Sequence, residues 1–335
     1  MSSRPPEDPA RQQRQAEAKL TAHRGMATWG ERLVTLGHYR QATAAAGRRL
    51  SAPERLAERQ RFLAPADDPT PVEGPFGRIA VFGGVYSNHL ALEALLADAQ
   101  RRGAEAIYCL GDLGGFGPNP EKVWPLLDRG GVLTLQGNYE ESLASGRDDC
   151  NCGYTDPRDN RFAEISYRYT AEHTSPQLKT WMGSLPRRRR VRVGACELLL
   201  VHGSPRRNNE FLFHSTSPIA FLEALLDHEH CGGVLCTHTG LHWHRRLPSG
   251  RDVVNVGVIG RPANDGDTAV WYAMLEDRDD HLGVNLIRLP YDHLSLATEM
   301  CRERLPQEFV DTILTGWWTT CLEILPARER ATSRY

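Results

Sequence analysis

Four polar residues stand where apolar runs of the sequence end. Asp112 lies in Gly111-Asp112-Leu113-Gly114-Gly115-Phe116-Gly117, and Asn138 in Gln136-Gly137-Asn138-Tyr139-Glu140. His202 precedes Gly203-Ser204-Pro205, and His238 sits in Thr237-His238-Thr239. Taken singly, each has an ordinary explanation: a Gly-Asp turn, an Asn tolerating left-handed backbone, a satisfied histidine. Together they offer a carboxylate, an amide oxygen and two imidazole nitrogens. Such a set suits manganese, iron or zinc better than calcium or a thiolate-loving ion. The expectation is therefore a site for one divalent metal ion.

The elements that must position these groups follow from the apolar pattern. Ile79 to Phe82 reads as a strand, followed by a helix from about Asn88 to near Gly103 and a second strand, Ile107 to Leu110. This alternation is a βαβ unit, which places ligand groups at the carboxyl ends of strands. Val132 to Leu135, Glu197 to Val201 and Val234 to Cys236 are further strands leading into Asn138, His202 and His238. Val191 to Val193 and Glu197 to Val201 flank Gly194 as a hairpin does. Runs at Val253 to Val256, Val270 to Leu275 and Val284 to Leu289 make the second half rich in strands, so an α/β sandwich fits better than a pure Rossmann sheet.

The order of Gly-Asp112, Gly-Asn138, His202 and Thr237-His238-Thr239 resembles the calcineurin-like metallophosphoesterases over about residues 78 to 290. That family carries D-x-H, G-D, G-N, H and G-H-x-H motifs and binds two metals that share the second-motif Asp. The resemblance implies an α/β sandwich of two mixed sheets flanked by helices. It implies that Asp112 is the shared carboxylate and that Asn138, His202 and His238 complete one metal's ligands. The other metal's set is missing: D-x-H falls on Gly84-Val85-Tyr86, and the last His falls on Gly240. All three losses concern the same ion, so one site is read as given up as a unit. Tyr139 stands where many relatives have the His that assists the leaving group.

What the resemblance implies for activity is a divergent metal-dependent phosphoesterase-like hydrolase with one retained ion, manganese, iron or zinc. Asp112, Tyr139 and His202 are its expected catalytic residues. Arg206, Tyr86 and His242 are expected to contact a small anionic or phosphorylated substrate, with His89 and His244 as further groups near the vacated site; the plainer reading of His242 and His244 is a solvated strand face, and of Tyr86 packing against neighbouring loops. A mononuclear metalloenzyme of other chemistry in a biosynthetic pathway, and a non-catalytic binding protein on the same fold, are the alternatives.

Composition bounds the rest. The chain has 335 residues, with 40 Lys plus Arg against 42 Asp plus Glu, so charge gives no reason to expect nucleic acid or an anionic membrane as partner. The run Arg187 to Arg190 reads as a solvated face. The start, MSSRPPEDPARQQRQ, lacks the apolar stretch of a secretory signal, so the expected location is cytoplasmic. Eight scattered cysteines are expected to be reduced thiols, and Cys150 and Cys152 to belong to a cap loop. Residues 1–75 read as a helical, partly flexible extension and linker, with a capping box at Ser51 and Glu54; residues 76–290 form the main domain. Residues 291–335 read as a helical segment docked on it through Trp317, Trp318 and Leu322.

Overall fold

A computed structural model describes residues 70–279 and 281–332; the expected N-terminal helices and the Ser51 capping box lie outside them. Two mixed sheets stack face to face. The first has strand order β11-β10-β2-β3-β4, built from His281–Leu289, Val270–Arg278, Arg78–Phe82, Ala106–Cys109 and Leu133–Thr134. The second has order β1-β5-β6-β7-β9-β8, built from Val72–Phe76, Arg188–Val193, Cys196–Val201, Gly233–Cys236, Asp252–Val256 and His242–Arg246. Strands β2, β3 and β4 run parallel, as do β6, β7 and β9.

The two-residue period of a strand explains how both faces of each sheet are covered. Ile79 and Val81 of β2 point into the inter-sheet core with Leu198 and Leu200 of β6, while Ala80 and Phe82 join the helix side. Leu199 and Val201 turn the other way, onto Leu222 and Leu225 of the helix Ile219–Glu229. Each fully buried Val, Leu, Ile or Phe side chain among these contributes about 1.5–3 kcal/mol.

Local chemistry sets the element ends. Asn88 caps helix α1 (His89–Arg101) by accepting the Ala91 N–H at 3.0 Å. The β5–β6 hairpin turns at Gly194, whose φ of +56° favours glycine. One strand departs from the sequence reading. Val72–Phe76, most of which falls in the expected linker, pairs as an edge strand with β5. His242–Arg246, the strand face that His242 and His244 offered, pairs antiparallel with β9 and forms the opposite edge. Both are edge positions, where apolar alternation is weakest and Pro is tolerated.

The C-terminal segment packs on the loops at one end of the sandwich. From the helices His293–Arg302 and Gln307–Thr315, Leu296, Met300, Phe309 and Ile313 cluster with Tyr86, Phe116, Phe162 and Val258. Trp318, Ile324 and Leu325 cluster with Phe213, Leu241 and Ala263. Trp318 is buried, whereas Trp317 is exposed.

Candidate metal centre and its pocket

Because the parallel strands of both sheets point the same polar loops toward one edge, their carboxyl ends converge. Asp112 follows β3, Asn138 follows β4, His202 follows β6 and His238 follows β7; all four are buried, His238 the most exposed at 7%. Asp112 and His238 hold left-handed backbone, with φ of +58° and +66°. That conformation is uncommon outside glycine and clusters where a structure aims a side chain. A carboxylate braces the turns: Glu140 accepts the N–H groups of Asp112, Leu113 and Gly137, each at 2.8 Å.

The donor atoms meet around His202 Nε2. Asn138 Oδ1 lies 2.9 Å from it, His238 Nδ1 3.1 Å and Asp112 Oδ2 3.3 Å. Asn138 donates its Nδ2 to the Cys150 carbonyl at 2.8 Å, which leaves Oδ1 facing inward. His202 Nδ1 lies 2.7 Å from the Leu110 carbonyl and donates to it, so in the neutral ring Nε2 carries only a lone pair. Lone pairs that converge in a buried place repel unless a cation or proton lies between them. Groups bound to one ion by bonds of about 2.1 Å sit about 3 Å apart, which is the spacing seen. An imidazole whose second nitrogen is tied to a backbone carbonyl is also the usual arrangement of a ligand histidine. The residues therefore fit a divalent ion. Asp112, His202 and His238 have donor atoms that all lie within 4.8 Å of one another.

The electrostatics agree. Burial pushes the Asp112 carboxyl up, but His202 and His238 and the Tyr139 N–H, which donates to Oδ1 at 3.1 Å, hold it below the usual range. Burial disfavours a charged His202, and Asp112 more than reverses this, so its pKa is raised. His238 is pushed down to about 3 by burial and then by His202. The carboxylate thus favours a charged His202, while burial favours a neutral His238.

A cleft of about 520 Å³, part of it open to solvent, adjoins these groups and is walled by Asp112, His238, Tyr86, Tyr139, Phe211 and Arg261, among others. Tyr139 places its hydroxyl 3.0 Å from Ser166 Oγ, and burial raises its pKa, so the phenol keeps its proton. The positions matched to the missing D-x-H and last His are filled. A side chain at Gly84 would run into Val258, and a Cβ at Gly240 would lie 2.7 Å from Trp318 and 3.3 Å from an Arg261 nitrogen.

Other residues singled out in the sequence lie elsewhere. Arg206 is held by Glu210 of its own loop and lies over the Phe221 ring at 4.9 Å; it is absent from the wall of the cleft. His242 stacks on Trp271 at 3.9 Å, and burial lowers its pKa to about 4; it too is absent from the wall. His89 faces Glu299 at 3.5 Å, and His244 meets Asp252 at 2.7 Å. Arg188 and Arg190 pair with Glu229 and Glu197, so the arginine run is in part buried. Cys150 and Cys152 form a disulfide in place of the expected thiols, with Asn151 at φ +52° turning the chain so that the sulfurs meet.

Arg261 was not anticipated. It follows β9 in Val258-Ile259-Gly260-Arg261, a strand-end position of the same kind as the other four, and this is the signal that could have found it. Its guanidinium lies 3.5 Å from the Trp318 ring centroid and 5.8 Å from those of Tyr86 and Phe116. The side chain is 5% exposed, and its Nε has no hydrogen-bond partner. Burial works against the charge, yet Tyr86, Tyr154 and Cys321 keep its pKa above the ordinary value. Burying an ion costs several kcal/mol. Stacking on a desolvated indole returns about 2 kcal/mol and the Cys321 side chain is a hydrogen-bond partner, but no carboxylate among the described residues neutralises the charge.

No protein-family model matches the sequence. An uncharacterised protein of Methanocaldococcus jannaschii is 24% identical over 247 residues, covering 71% of this chain and 98% of its own. Among solved structures, a hypothetical protein from Pyrococcus horikoshii superposes with a TM-score of 0.61 at 22% identity, covering 72% of this chain and 99% of that one. A metallophosphoesterase from Sphaerobacter thermophilus superposes with a TM-score of 0.56 at 24% identity, covering 71% and 98%. The described residues thus have the metallophosphoesterase fold, with a possible metal site at Asp112, His202 and His238.

Proposed function

We propose that this protein is a metal-dependent hydrolase of phosphate esters that works with one ion, manganese, iron or zinc, held by Asp112, Asn138, His202 and His238. The observation that carries the reading is the convergence of Asn138 Oδ1, His238 Nδ1 and Asp112 Oδ2 on His202 Nε2 within 3.3 Å. A single ion is favoured because Val258, Trp318 and Arg261 occupy the space that side chains at Gly84 and Gly240 would need.

A divalent ion supplies Lewis acidity and lowers the pKa of water. The chain supplies position and protons. Leu110 fixes the His202 ring, Glu140 holds the Asp112 and Asn138 turns, and Tyr139 keeps a proton in the wall of the cleft that it can donate to a leaving oxygen. Aromatic walls limit water around the reacting group.

Metal analysis of the purified chain beside Asp112→Asn and His238→Ala tests this, together with hydrolysis of an aryl phosphate monoester and diester with manganese. One ion per chain is expected, with loss of metal and turnover in both variants. A stoichiometry near two would refute the single-ion reading, and no turnover across metals and esters would refute the hydrolase.

A further inference from the structure

Arg261 is a buried cation without an acidic partner. Among the described residues no carboxylate lies within 4.0 Å of its guanidinium nitrogens, whereas the other arginine buried to the same degree, Arg190, pairs with Glu197 and Glu229. One face of the guanidinium is covered by Trp318, and its Nε has no partner. The same side chain forms part of the wall of the cleft that Asp112 and His238 line. Tyr86 lines the cleft with Arg261 and Asp112, and the Arg261 guanidinium lies 5.8 Å from its ring centroid.

A guanidinium is a planar fork whose N–H groups match two oxygens of a phosphoryl or carboxylate group. Stacking on Trp318 fixes its plane, so little rotational freedom remains to be lost on binding. Trp318 is itself pinned: its Nε1 donates to the Pro262 carbonyl at 2.6 Å, and its N–H to Asn264 Oδ1 at 2.9 Å. A preorganised cation facing a concave, water-poor site is what stabilisation of a bound or developing oxyanion requires.

We propose that Arg261 is the oxyanion anchor of this cleft, a fixed organic cation that holds the phosphoryl group of the substrate where a second metal ion would otherwise stand. The substrate thereby contacts two positive centres, one an ion and one part of the chain. Phe116, Phe162 and Phe309 beside it form an apolar wall for the group the phosphate carries. The anchor deepens the hydrolase reading and rests on it for its catalytic use, but not for its binding of the anion.

Binding of inorganic phosphate to the full chain, measured by calorimetry with and without manganese, tests the anchor. Arg261→Met is expected to weaken phosphate binding by about thirtyfold or more, with metal content unchanged. Arg261→Lys, which keeps the charge but not the fork, is expected to fall between. Without phosphate, Arg261→Met is expected to melt no lower than the wild type, since it removes a buried charge that no carboxylate pairs; a purely structural arginine predicts a lower melting temperature and no change in phosphate affinity. Should the Met variant not fold, the Arg261 side-chain N–H resonance of the wild type decides. A shift on adding phosphate supports the anchor, and an unmoved resonance overturns it, as does an unchanged affinity in Arg261→Met. Phosphate binding lost in Arg261→Met but accompanied by no metal in the wild type would sink the single-ion hydrolase while leaving the anchor standing.

Discussion

At the scale of single residues, the groups proposed to hold the ion depend on a side chain outside the donor set. Glu140 accepts three backbone N–H groups from the two turns that carry Asp112 and Asn138. Glu140→Ala leaves all three buried without a partner, at about 1–3 kcal/mol each before relaxation. The expected result is a loss of about 3 kcal/mol or more in denaturant unfolding, together with weaker metal binding. Unaltered stability with normal metal affinity would contradict the bracing role. The residues of the centre were legible because strand ends in this layout can only face one edge, so four such residues name one place. Arg206 and His242 misled because neighbours in sequence need not share a cavity: Glu210, four residues on, captures Arg206, and Trp271 from the other sheet captures His242. Arg261 escaped notice because the loop after β9 was not read with the rule used for the other strand ends.

At the scale of elements, helix α1 is tied to the first sheet by a carboxylate. Asp98 accepts from Tyr272 of β10 at 2.6 Å, from Arg102 at 2.7 Å and from Arg101 at 2.8 Å. Burial pushes its pKa up, but Tyr272, Arg102 and Arg101 more than offset this and hold it below the ordinary value. A carboxyl whose folded pKa is depressed adds stability above its unfolded pKa, near 4, and loses it as pH falls through the folded value. Asp98→Asn is therefore expected to cost about 1–3 kcal/mol at pH 7, with the difference from wild type shrinking below about pH 4. Urea melts at several pH values check this, and a pH-independent difference would show that the charge is not the cause. The central strands of both sheets were readable from apolar alternation, whereas β1 was not, and β8 was readable only as a strand face carrying His242 and His244. Val72-Glu73-Gly74-Pro75-Phe76 contains two strand breakers, and His242-Trp243-His244-Arg245-Arg246 has one strongly apolar residue in five. Pairing to a neighbour, which no local pattern encodes, makes them strands.

At the scale of the whole molecule, the C-terminal segment closes the cleft. Phe309 and Cys321 line it, and Trp318 covers Arg261. Trp318→Ala is expected to cost about 3–5 kcal/mol and to free the guanidinium, which would weaken phosphate binding along with the fold. A variant that melts normally would place the closing contact elsewhere. Gly240→His, which writes back the missing last-motif histidine, is expected to lower the melting temperature and to recruit no second ion. Its backbone φ is +80° and Trp318 stands in the way. A metal count rising to two would show that the space can be reclaimed. That the segment packs through Trp318 and not Trp317 was beyond the sequence, since both are apolar and adjacent.

The position of Trp318 also sets an order in time. As the chain is synthesised, the residues that converge on His202 emerge by His238, Arg261 follows, and Phe309, Trp318 and Cys321 come last. A nascent or proteolytically clipped chain that ends before Phe309 carries every donor for an ion but no completed chamber. On the reading proposed above, the donors for the ion are thus in the chain before the parts that complete the grip on an anion.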